Sequence, residues 1–244
     1  MPTSAAALII GDEILSGKFA DLNGPFIIRR CRELGIDLRH ISVVPDVLDD
    51  IAFEVARWSA RVDHVFTTGG VGPTHDDLTM AGVAQAFGVS IVRSAALEQI
   101  IREKFEGRLN EDVFRMADVP EGAELWSEGA LFFPQVVVRN VIIFPGVPRL
   151  FHKKFDGIAH RLAVGGAPRH SRRVVTEEQE TDIAARLRLI AGNHPDVAIG
   201  SYPQFDQKPW TVTVTIDSLD LAAVAVAEAA VRAAIDCRDQ NSVT

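Results

Sequence analysis

Val62-Asp63-His64-Val65-Phe66-Thr67-Thr68-Gly69-Gly70-Val71-Gly72-Pro73-Thr74-His75-Asp76-Asp77-Leu78-Thr79 is the stretch from which the architecture can be read. Residues 62–68 are rich in β-branched and aromatic side chains and read as a strand. Three glycines break that pattern, and a helix follows from Thr79 to Phe87, ending at Gly88. A strand, a glycine-rich turn and a helix in this order are the unit from which parallel sheets are built.

The same alternation extends outward. Ala5–Ile10 is a continuous apolar run, as expected of a buried parallel strand. Asn23-Gly24-Pro25 opens a helical pattern through Ile27, Ile28, Cys31 and Leu34 that stops at Gly35. Ile41–Val44 is a second strand, closed by Pro45-Asp46, and Asp49 and Asp50 start a helix through Ile51, Val55 and Trp58. This order predicts right-handed crossovers and a mostly parallel sheet covered on both faces, a three-layer α/β sandwich.

Further on, Ala95–Phe105 reads as a helix, while Arg108–Asp118 is polar and fits no element. Phe132–Val138 and Val141–Phe144 are β-rich runs joined at Arg139-Asn140, a hairpin pattern. Pro145-Gly146-Val147-Pro148 is a rigid turn into a helix carrying Leu150, Phe151 and Phe155. Gly165-Gly166-Ala167-Pro168 reads as a linker. Strand Arg172–Val175, helix Thr181–Ile190, strands Val197–Ser201 and Thr211–Ile216, and helix Leu221–Ile235 then form a small α+β unit. Residues 240–244 are expected to fray. The expected domains are residues 1–164 and 169–240.

The chain has 244 residues, 47% of them hydrophobic and 24% charged, enough apolar material for a large core. A formal net charge of -8 argues against a nucleic-acid partner, because no broad basic footprint is available. The two cysteines, Cys31 and Cys237, lack zinc-type spacing and read as reduced thiols of a cytoplasmic protein. The apolar run at the N-terminus is too short for a signal peptide or a membrane span.

Ligands of parallel sheets lie beyond the carboxyl ends of the strands. Three loops occupy those ends: residues 11–17, Pro45-Asp46, and residues 69–77. Gly69, Gly70 and Gly72 allow close backbone approach and a nest of amides for an anion. Thr68, Pro73 and Thr74 flank them. Asp76 and Asp77 would repel a phosphate unless a hard divalent ion stood between them. Alternatively, Asp77 merely caps the following helix. Gly11-Asp12-Glu13-Ile14-Leu15-Ser16-Gly17 places two acids and a hydroxyl after the first strand. A solvated acidic loop is the competing reading. His75 lies in the glycine-rich loop and is a candidate proton donor; the other six histidines are scattered.

Gly11–Gly17, then Asp21 and Asn23, Pro45-Asp46, the whole Thr67–Thr79 stretch, Met116-Ala117, Pro120-Glu121-Gly122-Ala123 and Pro145-Gly146-Val147-Pro148 stand in order. Together they resemble the CinA (competence/damage-inducible protein A) family. The match covers roughly the first 165 residues, the scale of one domain. Residues 133–141 and Ile199-Gly200-Ser201-Tyr202-Pro203 look closer to the N-terminal portion of eukaryotic FAD synthases. The resemblance implies a MoaB/Mog fold, a homo-oligomer, a loop that holds a pterin phosphate in molybdenum-cofactor relatives, and functional acids at Asp46 and Asp77. In CinA-type relatives it implies pyrophosphate hydrolysis of ADP-ribose or FAD with a divalent metal. Phe132–Pro134 departs from the usual CinA sequence. The amidohydrolase and adenylyltransferase domains of relatives do not fit the roughly 80 residues beyond the match, so neither activity is expected.

Two functions follow. In the first, the chain is a metal-dependent nucleotide pyrophosphatase. Asp46, Asp77 and Glu13 are then catalytic, and Asp46, Asp76 and Asp77 hold a Mg, Mn or Co ion. Gly11, Asp12, Ser16, Asn23, Thr68, Gly69, Gly70, Gly72, Pro73, Thr74, Pro145 and Gly146 line the ligand site. In the second, the same loops bind molybdopterin or a related phosphate without turnover. Either way the partner is a small phosphate-bearing molecule.

Overall fold

The computed structural model describes residues 2–107, 109–128, 133–162, 169–206 and 208–237. The predicted linker at 165–168 and the tail at 240–244 lie outside them. The chain divides into two compact units, Met1–Gly166 and Ala167–Thr244.

In chain order the first unit contains β1 (Ser4–Ile10), α1 (Asp12–Leu15), α2 (Asn23–Glu33), β2 (Asp37–Val44), α3 (Leu48–Ser59), β3 (His64–Thr68) and α4 (Thr79–Phe87). It continues with β4 (Ile91–Arg93), α5 (Ala95–Lys104), α6 (Glu111–Arg115), β5 (Asp118–Pro120), β6 (Glu124–Trp126), β7 (Gln135–Val138), β8 (Val141–Phe144) and α7 (Pro148–Leu162). The six-stranded sheet runs β2-β1-β3-β8-β7-β6. β2, β1, β3 and β8 are parallel, and β7 runs antiparallel to both β8 and β6.

β1 is buried along its whole length because helices cover both faces. Ala6, Leu8 and Ile10 pack with Ile51 and Val55 of α3 and Val83 of α4. Ala5, Ala7 and Ile9 pack on the other side with Phe26 and Ile27 of α2 and Phe151 and Phe155 of α7. Phe66, Phe144, Phe151 and Phe155 meet there edge-on or tilted, with centroids 5.0 to 6.2 Å apart. This is the three-layer sandwich with a mostly parallel sheet that the alternating elements predict.

The hairpin turn is also where it was expected. Arg139 takes φ 54, a positive angle that a two-residue hairpin turn requires. Asn140 ties the turn to α3, its side-chain amide donating to the carbonyls of Ser59 and Val62 at 2.9 Å each. One expectation needed correction: the acidic loop after β1 is partly the short helix α1. The polar stretch after α5, hard to assign from the sequence, contains α6 and the start of β5.

The second unit contains β9 (His170–Thr176), α8 (Glu180–Asn193), β10 (Ala198–Gln204), β11 (Thr211–Ser218) and α9 (Leu221–Ala234). Its antiparallel sheet, β10-β11-β9, packs Val174, Val214 and Ile216 against Ile183 and Leu187 of α8 and Val224 and Val231 of α9. β10 extends past the predicted end at Ser201 to Gln204. It pairs Pro203 with Val212 at the sheet edge, where a residue without an N–H is tolerated. No helix among the described residues is long and apolar enough to cross a membrane.

Candidate phosphate-binding site

The sheet order is 2-1-3-8, so the chain goes from β1 to β2 on one side and then crosses back past β1 to β3 on the other. Beyond the carboxyl ends of these strands a crevice opens, the expected ligand position in such sheets. Each of the four parallel strands delivers one loop there: Gly11 after β1, Pro45-Asp46 after β2, Gly69 after β3 and Pro145-Gly146 after β8. The ladder continues into two of these loops, with Gly11 N–H donating to Val44 O at 3.1 Å and Gly69 N–H to Phe144 O at 3.2 Å.

Buried polar side chains fasten the loops together. The Asn23 amide donates to Thr68 Oγ1 and to Gly146 O, both at 2.8 Å, and Thr68 Oγ1 donates to Pro145 O at 3.0 Å. Thr79 Oγ1 donates to Gly69 O at 2.7 Å, and the Thr79 N–H donates to Gly70 O at 2.9 Å. Gly69 has φ 104, and a Cβ there would stand 2.0 Å from Ile10 O. No other residue fits between the ends of β1 and β3.

Asp77 departs from its reading as a helix cap. It does not cap α4, whose N-cap position is Leu78, without a side-chain bond. Its carboxylate instead accepts from the N–H of Gly72, from the N–H of Thr74 at 2.8 Å, and from the Thr74 hydroxyl. Three of about four acceptor positions on the carboxylate are thus taken by its own loop. Gly72 is required for the same reason, because a Cβ there would lie 2.7 Å from Asp77 Oδ2. The nest is therefore smaller than the glycine count suggests. Gly69, Gly72 and Thr74 amides are occupied within the fold, and among the described residues only Gly70 and Val71 N–H in this segment of the loop remain without acceptors.

A cavity of about 750 Å³ occupies the crevice. Of the predicted residues, Glu13, Asn23, Thr68, Gly69, Gly70, Gly72, Asp77, Pro145 and Gly146 line it. Gly11, Asp12, Ser16, Asp46, Pro73, Thr74 and Asp76 stand outside that lining. Ser16 Oγ donates back to Glu13 O at 3.3 Å, and the exposed His75 lies nearest Asp76. Asn23 is 5% exposed, and its Oδ1 is buried without a hydrogen-bond partner.

The acids beside the cavity interact. Asp12 N–H donates to Asp46 Oδ2 at 2.8 Å, and Asp46 N–H donates to Asp12 Oδ1 at 3.3 Å, so the loops after β1 and β2 clasp one another. Burial, followed by the charges of Asp12, Glu13 and Asp76, raises the Asp46 carboxyl above its ordinary range, against the lowering by the Asp12 N–H. Hydrogen bonding from Thr74 and from its own backbone N–H lowers Asp76. These carboxylates are hard oxygen donors suited to a divalent ion. Among the described residues, however, no three or more acidic, histidine or cysteine side chains are gathered closely enough to hold one.

Two site features were not predicted. Arg115 lines a smaller cavity of about 140 Å³ on the other side of Gly70, Val71 and Gly72. Met116 and Val71 border both cavities. Arg115 sits in α6, within the polar stretch that has no hydrophobic period, so nothing in the sequence directed attention to it.

Residues 6–164 match the family model described as a probable molybdopterin binding domain. The chain belongs to this family. Residues beyond the molybdopterin-binding-type domain, 168–241, match the model of the FAD synthase middle domain. The chain is 34% identical over 245 residues to a probable FAD synthase of Caenorhabditis elegans, covering 88% of this chain and 46% of the worm protein. It therefore spans about half the length of that relative. It is 34% identical over 213 residues to an Archaeoglobus fulgidus protein, covering 86% and 89% of the two chains. A CinA-like protein of Anaeromyxobacter is 36% identical over 148 residues, 58% of this chain and 36% of the relative. The crystal structure of a CinA protein of unknown function from Thermoplasma acidophilum superposes with a TM-score of 0.61. It shares 27% identity and covers 66% of this chain and 98% of that one. The CinA, MoaB/Mog and FAD synthase resemblances read from the sequence are all upheld.

Proposed function

We propose that the molybdopterin-binding-type domain holds a nucleotide or pterin by its phosphates in the large cavity and cleaves a phosphoanhydride bond with the help of a divalent cation. One observation carries this reading. The cavity is lined by Glu13, Asp21 and Asp77 and, among the described residues, by no Lys or Arg. A pyrophosphate beside three carboxylates is repelled unless a cation lies between them.

Gly70 and Val71 amides donate to one phosphate, with Arg115 behind the loop adding positive charge. Glu13, which is exposed and lines the cavity, takes the proton from the attacking water. No three acids form a ready-made ion site among the described residues, so Asp46 and Asp76 would hold the ion only together with the phosphate, with Asp77 keeping the loop in shape. A bound divalent ion supplies charge neutralisation and an acidified water.

The worm relatives are named probable FAD synthases, which makes FAD the first dinucleotide to try. The test is incubation of the protein with FAD, ADP-ribose and other dinucleotides, with and without Mg²⁺, Mn²⁺ or Co²⁺, followed by product chromatography. Metal-dependent release of AMP together with the other half as its monophosphate supports the reading. Tight pterin or nucleotide binding with no product from any dinucleotide moves the conclusion to a binding protein. That second reading is favoured by the absence of a gathered metal centre among the described residues.

A further inference from the structure

Four large apolar side chains ring the mouth of the large cavity and stay in solvent: Phe19 is 60% exposed, Leu22 59%, Val147 57% and Leu150 52%. They come from two places in the chain, the connection between α1 and α2 and the turn that enters α7. Single exposed apolar residues need no explanation, but a gathered cluster rimmed by charge marks an interaction surface. The charge around this cluster is sorted. Glu13, Asp21 and Asp77 line the cavity, and among the described residues no Lys or Arg does. Lys18 and Arg149 are exposed beside the cluster, one preceding Phe19 and the other lying between Pro148 and Leu150. The Lys18 ammonium stands 5.9 Å from the centre of the Phe19 ring, and neither cation has a carboxylate partner among the described residues. Acids therefore line the crevice and unpaired cations stand outside it, so the crevice lacks in its own lining the positive charge that suits a phosphate.

We propose that two copies of this chain pack mouth to mouth through Phe19, Leu22, Val147 and Leu150, and that the partner's Lys18 and Arg149 supply positive charge to phosphates held in the facing crevice. The proposal rests on the phosphate reading of that crevice. A two-fold contact sets one patch against itself, so a patch that carries an apolar cluster, acids and unpaired cations meets its own complement. A ligand ring would cover one or two of these side chains, whereas a second copy covers all four and pairs both signs of charge. A membrane surface would cover the apolar residues and the cations, but it would bring anionic headgroups against Glu13 and Asp21.

The test uses the full chain, sedimentation velocity, and calorimetry with inorganic pyrophosphate and Mn²⁺. The wild type sediments as a dimer at micromolar concentration. Leu22→Ser combined with Leu150→Ser changes no charge and touches two residues already exposed in the single copy. This variant keeps the wild-type melting temperature at high dilution, sediments as a monomer and binds pyrophosphate at least about tenfold more weakly, because the partner's cations leave with the interface. Lys18→Met combined with Arg149→Met keeps the dimer and lowers the affinity by a similar factor. Gly70→Val, which breaks the loop at φ 61, keeps the dimer and binds no pyrophosphate. Mixed one to one with the cation variant and left to exchange, it restores full affinity at roughly a quarter of the chains, since about half the dimers are mixed and each mixed dimer has one complete site.

A wild type that sediments as a monomer and still binds pyrophosphate overturns the proposal and leaves the phosphate reading standing. Unchanged affinity in the cation variant overturns it as well. So does a loss that the mixture fails to restore while both parent variants are dimers, because the cations then serve their own crevice. A monomer that binds phosphatidylserine vesicles through Leu22 and Leu150 assigns the cluster to a membrane instead. A wild-type dimer that binds no pyrophosphate, with or without Mn²⁺, removes the phosphate reading and the charge supply together.

Discussion

At Asp77 the sequence offered two roles, helix cap and metal ligand; the cap is not formed, and the carboxylate is engaged by its own loop. It holds the N–H groups of Gly72 and Thr74 and the Thr74 hydroxyl. Neither residue type nor spacing reveals which of several nearby amides an acid will take, so this part of the site was not legible in the sequence. Asparagine has one acceptor oxygen in place of two and adds a donor facing donors. Asp77→Asn is therefore expected to lower stability by roughly 1–2 kcal/mol, the scale of a lost charge-assisted bond in a partly exposed loop. Phosphate-ligand affinity falls with it. Thermal melts beside calorimetry with inorganic pyrophosphate and Mn²⁺ check this, and an unchanged melting temperature would refute the loop-holding role. Asp46 behaves differently. Burial and neighbouring acids raise its folded pKa, so its contribution to stability is present at low pH and lost as pH rises through that raised value. A cation would relieve the same repulsion. Mn²⁺ affinity should therefore drop as pH is lowered from 7 into the raised range of Asp46. Asp46→Asn should abolish that dependence, and should slightly stabilise the metal-free protein at pH 7. A Mn²⁺ affinity flat across this range in the wild type would exclude Asp46 from the ion's ligands.

At the scale of elements, the regular parts could be read and the polar ones could not. β1, α2, α3, β3, α4 and the β7–β8 hairpin follow from apolar runs, helical periods and turn residues. α6, β4, β5 and β6 are three to five residues long and carry too few side chains to show a period. The glycine-rich turn was recognisable as a turn between β3 and α4, but the reasons for its glycines were not equivalent. Gly70 adopts φ 61, whereas Gly72 is required by the space that Asp77 occupies. Gly69 is the most constrained, with φ 104 and a backbone carbonyl where a Cβ would lie. Ile10 O belongs to β1 and cannot move aside without disturbing the sheet. Gly69→Ala is accordingly expected to cost more than about 2 kcal/mol, the combined scale of backbone strain and overpacking. Gly17→Ala, where φ is also positive but nothing lies within 4 Å, should cost about 1 kcal/mol or less. Denaturant unfolding of the two variants gives the comparison, and equal losses would show that the close approach of β1 and β3 does not govern this turn.

The whole molecule keeps its cores apart. The two clusters that sandwich the six-stranded sheet draw on residues up to Leu162, and the third begins at Val174. The second unit also closes on itself. Arg186 joins Glu178 and donates to Ala234 O, and Glu178 accepts from the N–H of Asp236, so the start of this unit is fastened to its end. The crevice and the smaller cavity beside Arg115 are built wholly from residues of the first unit. A domain of that size buries enough apolar surface to fold alone, while 78 residues with one three-stranded sheet are close to the lower limit for an unassisted core. Residues 1–166 expressed alone should therefore stay soluble, unfold in a single cooperative transition and bind pyrophosphate with Mn²⁺ within about threefold of the full chain, since the cavity draws its lining from this unit alone. Residues 167–244 alone should fold with lower stability and bind neither. Aggregation of the shorter chain, or a loss of pyrophosphate affinity beyond about tenfold, would mean that the second unit completes the core or the site of the first, and the separation of cores would not be a separation of function.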